Sequence, residues 1–184
     1  MQSAWQGKLV RLRAIEPGDW EVFQAWDADT DANRHGWRVH FPRSAGATRA
    51  WAEQESRKER SDADDTFRFV VETLDGVPVG SLNVHDADRL NGTFEYGINI
   101  AREHWAHGYA ADAIIVVLRY FFRERRYQKA NATVYAFNER SLALHRKLGF
   151  VEEGRLRRMH YTGGEYHDEY WFGMTAEEFE ARYG

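Results

Sequence analysis

Two periods alternate along the chain. KLVRLRAI (8–15) places apolar residues at every second position, the pattern of a half-covered strand. EPGDWEVFQAW follows, with Pro17 at a first helical turn and apolar residues at Trp20, Phe23 and Trp26, which predicts a helix. From 27 to 46 no clean period appears, and a loop or irregular helix is expected there. TRAWAEQESRKER (48–60) is charged and helix-prone, with Thr48 as the expected cap. In TFRFVVETLDGVPVGSLNVH (66–85) two β-rich runs flank Asp75-Gly76, a strong hairpin signal, and NGTFEYGINI (91–100) adds another strand.

Between 108 and 123 the apolar positions Ala110, Ala113, Ile114, Val117, Leu118, Phe121 and Phe122 have helical spacing over a wide face. KANATVYAF (129–137) reads as a strand and SLALHRKLGF (141–150) as a short helix closed at Gly149. Two strands joined around Gly163-Gly164 span 155–174, and Thr175 with Glu178 has capping-box spacing for a last helix. No repeat, low-complexity tract or linker interrupts this order. It predicts one α+β domain over residues 1–184, with a mixed, mostly antiparallel sheet of about seven strands flanked by helices.

Composition narrows the function. At 184 residues, 43% hydrophobic and 29% charged, the chain can bury a real core, and seven Trp make that core ring-rich. A net charge of -4 argues against a nucleic-acid partner. Without cysteine there is no disulfide, thiolate zinc site or acyl-cysteine intermediate. The first twenty residues lack the apolar core of a signal peptide and no run is long enough to span a bilayer, so no membrane association and a cytoplasmic location are expected.

HWAHGYAADA (104–113) sets a lone glycine at the mouth of the apolar helix, directly after a strand. Free N–H groups and the helix dipole make such a mouth suited to phosphate, and the small residues Ala106, Gly108 and Ala110 would let phosphate approach the backbone. A simple tight turn explains the glycine equally well. No GK[ST] follows, and the three glycines of a dinucleotide fingerprint are absent.

Together with NERSLALHRKLGF (138–150), this stretch resembles the acetyl-coenzyme A (acetyl-CoA) binding core of the GNAT N-acetyltransferase superfamily. Gly108-Tyr109-Ala110 match the end of its phosphate loop, while Trp105 stands at the usual Gln/Arg position. The Trp is similar to the branch that acetylates N-terminal amines of ribosomal proteins, and to its small-molecule relatives. Ala106 and His107 replace that branch's usual Gly and Lys, which implies weaker phosphate affinity at this loop.

The resemblance implies acetyl-CoA as co-substrate, with its pantetheine arm along Ile98, Asn99 and Ile100 and its phosphates on the amides of 106–110. It also implies a hydrogen bond from Asn138 to the arm and a strand N–H facing the thioester oxygen. Glu95 sits where the superfamily often carries its glutamate base. One register turns it into the cleft, where burial would raise its pKa; the other turns it to solvent. His145 takes the place of the family's tyrosine acid for the departing thiolate, with Ser141 as its competitor and simple packing as the alternative.

The expected reaction is direct acetyl transfer, in a ternary complex, to a primary amine: a peptide N-terminus or a small molecule. The rival is a non-catalytic acyl-CoA-binding sensor with the same fold. Other groupings carry less. His104 with His107, and His160 and His167 with Asp168, do not make a metal site, and none is expected. RLRRMH (155–160), whose alternation divides Arg155, Arg157 and Met159 from Leu156, Arg158 and His160, reads as a solvated strand. Asp62, Asp64, Asp65, Asp86 and Asp88 could draw in a cationic amine or merely solvate loops. Trp20, Trp26, Trp37 and Trp51 are core or acceptor-pocket walls. Edge strands near the C-terminal end suggest a homodimer.

Overall fold

The computed structural model describes residues 3–36, 38–59 and 64–184, so Trp37 and Asp62 lie outside the described residues. One seven-stranded sheet organises the chain in the order β1-β2-β3-β4-β5-β7-β6. Its strands are β1 (Val10–Arg13), β2 (Phe67–Thr73), β3 (Pro78–Asp88), β4 (Thr93–Ile100), β5 (Lys129–Tyr135), β6 (Val151–Thr162) and β7 (Glu165–Thr175). All neighbours are antiparallel except β4 and β5. The parallel pair is bridged by the long helix α4 (Tyr109–Arg123), as a parallel crossover requires.

Local chemistry ends most elements where the sequence places them. The β2–β3 turn uses Gly76 at φ 89°, and the β6–β7 turn uses Gly163 and Gly164, both at positive φ. In the capping box the Glu178 N–H donates to Thr175 Oγ1 at 3.3 Å, and the Thr175 N–H to Glu178 Oε2 at 2.9 Å, starting α6 (Ala176–Tyr183). The stretch without period is half helical. It holds α2 (Thr30–Gly36), packed behind α1 (Trp20–Ala28), and the start of α3 (Ala45–Ser56). The cap of α3 is Ser44, whose Oγ accepts from the Ala47 N–H at 3.2 Å; Thr48 is instead fully buried, donating to Gln24 Oε1 at 2.6 Å.

The cross-strand register assigns the two faces. Phe69, Leu82 and Ile98 lie in one row, and Phe67, Val84 and Tyr96 in another on the same face. That face packs on Ile114, Val117, Leu118 and Phe121 of α4, on α5 (Glu139–Leu148) and on α6, forming the main core. Val70, Ser81 and Asn99 share the opposite face, where α1 to α3 build a smaller core around Ile15, Phe23 and Ala52. Trp26 and Trp51 stack edge-on against Phe23 at 5.1 and 4.8 Å and Trp20 packs beside them; all three are half-buried against this core, and Trp26 also lines a small cavity with Asn99 and Ala101. No helix of the described residues is long and apolar enough to cross a membrane.

Candidate active site

The parallel β4–β5 ladder is short. It pairs Thr93 with Lys129, Phe94 with Ala130 and Glu95 with Asn131, and then stops. Beyond it β4 stays with β3 as far as Ile100, and β5 stays with β7 as far as Tyr135. The sheet therefore opens into a V whose vertex is Glu95. Ile98, Asn99 and Ile100 run along one inner edge, with main-chain groups that no sheet partner takes up on the side of the gap.

At the wide end of the V lies the mouth of α4. Gly108, at φ 84°, is its N-cap, and no side chain caps the helix. Ala106 holds φ 65°, a conformation that glycine adopts without the crowding of a Cβ. Ala106, His107 and Gly108 are exposed, leaving the first amides of α4 open. Trp105 anchors the loop by donating Nε1–H to the Ile100 carbonyl at 2.7 Å, beneath the guanidinium of Arg140 at 3.6 Å from its ring centre. His107 stacks on Tyr109 at 5.4 Å. Arg102 ties the loop to the α1–α2 junction, donating to Asp29 at 2.7 Å and to Asp31 at 3.0 Å.

One strut of this mouth has no signature in the sequence. Asp112, in the first turn of α4, accepts the backbone N–H groups of Lys8, Leu9 and Val10 at 3.0, 2.7 and 2.9 Å. Gly7 leaves room for that carboxylate, since a Cβ there would meet it at 2.2 Å. The partners lie more than a hundred residues apart, so no local pattern announces them.

Glu95 shares a face with Gly97 and Asn99, opposite the buried Phe94 and Tyr96. It is half-buried, and burial raises its pKa above the ordinary glutamate value; the neighbouring His85 opposes the shift, while Asp86 and Glu169 add to it. Gly97 keeps the floor beside it low, because a Cβ there would come within 2.9 Å of Asn83 Oδ1. His85, Asp86 and Glu95 gather here, each with a donor atom within 4.8 Å of the others.

The remaining expected residues fall around the V. Asn138 caps α5, accepting the Ser141 N–H at 3.1 Å, and donates Nδ2–H to the His35 carbonyl at 2.9 Å. One amide hydrogen and one lone pair remain for a ligand. His145 is only 3% exposed, boxed by Tyr96, Phe150 and Phe172 at 6.1, 5.3 and 5.6 Å. Its Nδ1–H donates to the Ser141 carbonyl at 2.8 Å, its Nε2 has no partner among the described residues, and burial lowers its pKa below 6.5. Ser141 Oγ lies 3.4 Å from His145 Nδ1.

A chain of rings lines the other arm of the V. His160 stacks on Tyr135 at 3.9 Å, Phe137 lies 4.7 Å from His167 and 5.6 Å from His35, and His35 lies 6.4 Å from Trp105. Four of these rings come from α2, β5, β6 and β7 and two, Trp105 and Phe137, from loops, so their spacing in the sequence does not join them. The alternation expected of 155–160 breaks at a bulge between Leu156 and His160, where Arg158 adopts φ 58°. Of the loop acids, Asp65 is committed to Arg89, Arg125 and Tyr127, and Asp88 to the amides of Leu90 and Asn91. Of the four described loop acids, Asp86 is the one among the charges that act on Glu95.

Solved acetyltransferases share this fold. The spermidine N-acetyltransferase of Vibrio cholerae, solved with CoA and spermine, superposes with a TM-score of 0.79 over 93% of this chain and 98% of that one, at 23% identity. The chain belongs to the GNAT family: the model of the Acetyltransferase (GNAT) domain matches residues 10–151. It is 43% identical over 180 residues to the SPbeta prophage-derived N-acetyltransferase YokL of Bacillus subtilis, covering 98% of this chain and 97% of that protein. It is also 25% identical over 173 residues, 93% of each chain, to YdaF of the same organism, named as a candidate ribosomal N-acetyltransferase. The protein is thus an acetyl-CoA-dependent N-acetyltransferase.

Proposed function

We propose that this enzyme moves the acetyl group of acetyl-CoA directly to a primary amine, with both substrates bound together and Glu95 as the base. The observation that carries the reading is the coincidence of the V vertex with Glu95. The gap beyond it offers the strand edge of Ile98, Asn99 and Ile100 to the pantetheine arm as to an added strand. The amides of 106–110, the first three of them in exposed residues, would take the phosphates, and the spare amide hydrogen of Asn138 would meet the arm. A strand N–H at the gap would face the thioester oxygen as charge develops on it.

The acceptor arrives as an ammonium, and a base must take a proton before nitrogen can attack. A half-buried carboxylate with a raised pKa suits that task better than an exposed one. The thiolate leaves readily, its free pKa being about 8.5. His145, neutral and sealed among rings, is in this reading a packing residue rather than a proton donor. The polar floor and the ring-lined arm fit a small aliphatic amine; the spermidine acetyltransferase of similar fold supports that class, and YdaF supports a protein N-terminus.

Titration with acetyl-CoA followed by thiol release over a panel of polyamines, amino acids, aminoglycosides and peptide N-termini tests the proposal. Tight binding and release with one amine class is the expected result. Binding without release from any amine would favour a sensor of acyl-CoA, and no binding would remove the reading altogether.

A further inference from the structure

Acetylation of an ammonium leaves one proton over. The first N–H proton goes to the base; the C–N bond forms as the C–S bond breaks, its electron pair passing to sulfur; the second N–H proton ends on the thiol. The first must reach solvent before the next turnover. A half-buried carboxyl with a raised pKa releases its proton unwillingly.

We propose that His85 and Asp86 form the proton exit of Glu95. This rests on Glu95 being the base. His85 is the direct cross-strand partner of Glu95 in the antiparallel β3–β4 pair, so both side chains rise from one face at adjacent positions. The His85 side chain is 41% exposed and that of Asp86 77%, so the pair leads outward from the cleft. His85 Nδ1 lies 2.8 Å from Asp86 Oδ2, an arrangement in which Nδ1–H donates and Nε2 keeps its lone pair.

The backbone is shaped to hold Asp86 there. The β3–β4 register shifts between His85 and Asp88, and Asp86 sits at φ 47°, in the left-handed region. A bulge of this kind re-aims a side chain at the edge of a site. Around Glu95 the charged groups are His85 and Asp86 from β3 and Glu169 from β7. Two of the three are acids, which hold a proton near the cleft, and His85 alone can pass it on as a cation. Donor atoms of Glu95 and His85 lie within 4.8 Å of each other, a span that one water bridges. The Glu95 O–H bond breaks as the proton passes through that water to form an N–H bond at Nε2; Asp86 steadies the imidazolium, which then gives its proton to solvent.

The test uses the full chain with saturating acetyl-CoA and its best amine. His85→Ala is expected to lower kcat roughly 10²-fold, the low end for acid–base groups, with the amine KM within about twofold. Added imidazole restores the rate, and Asp86→Asn gives a smaller loss. His85→Gln, with acetyl-CoA binding retained, covers the case of a misfolded alanine variant. An unchanged kcat in His85→Gln, or a loss that imidazole does not recover, overturns the exit. Glu95→Gln separates the two ideas. If it is inactive while His85→Gln is active, the exit alone is wrong; if it is active, the base assignment is wrong and the exit falls with it.

Discussion

Glu95 and His145 lie on opposite sides of one strand, and burial does opposite things to them. Both are shifted toward their neutral forms, the carboxyl upward and the imidazole downward. Glu95 keeps polar company in Asn83, His85 and Glu169 at the vertex of a gap. His145 has rings on three sides and an unpartnered Nε2. The same desolvation makes a stronger base of one and leaves the other unprotonated, with no imidazolium proton to give. A perturbed titratable group marks a functional site only where a substrate can reach it.

The largest test of this contrast is Glu95→Gln, expected to cut kcat by about 10²–10⁴-fold while acetyl-CoA still binds by calorimetry. The sign of its effect on stability is opposite. The folded chain holds the Glu95 proton more tightly than the unfolded one, so the ionised group costs stability above the unfolded pKa and nothing below it. Tm should therefore rise at neutral pH and stay level at acid pH. A fall in Tm at neutral pH would mean Glu95 is structural.

Next in size is Glu169→Gln. Removing a neighbouring negative charge should move the acidic limb of kcat/KM to lower pH, with kcat at neutral pH little changed. A limb that does not move would assign it to another group.

On the other face, His145→Phe and Tyr96→Phe each remove a buried polar atom with no partner among the described residues, and His145→Phe also gives up the Nδ1–H bond to the Ser141 carbonyl. Each should hold or gain up to about 1 kcal/mol in denaturant unfolding. The folded His145 resists protonation, so His145→Phe should gain most as pH falls below 6.5, where the unfolded chain takes up the proton. A kcat loss near a hundredfold in His145→Phe would make it the acid after all. The smallest expected effect is that of Ser141→Ala, within about 0.5 kcal/mol in stability and with kcat unchanged.

What the sequence determined by itself is local. The Asp75-Gly76 hairpin, the buried stripe of α4, the Thr175–Glu178 box and the glycine at the α4 mouth depend on residues a few positions apart, and each stands where its pattern put it. The resemblance of 104–113 and 138–150 to an acetyl-CoA core marked which helix mouth mattered. Helix α2 and the Ser44 cap escaped because a short polar helix shows no apolar stripe.

Tertiary structure decided the rest. Alternation along FEYGINI defines two faces but not which one a helix covers, so the side of Glu95 awaited the packing of α4 on Phe94 and Tyr96. The sealing of His145, the bracing of the α4 mouth by Asp112 and the placing of His85 opposite Glu95 are contacts between distant segments. Their energies depend on burial and register, and neither is written in any short window of the chain.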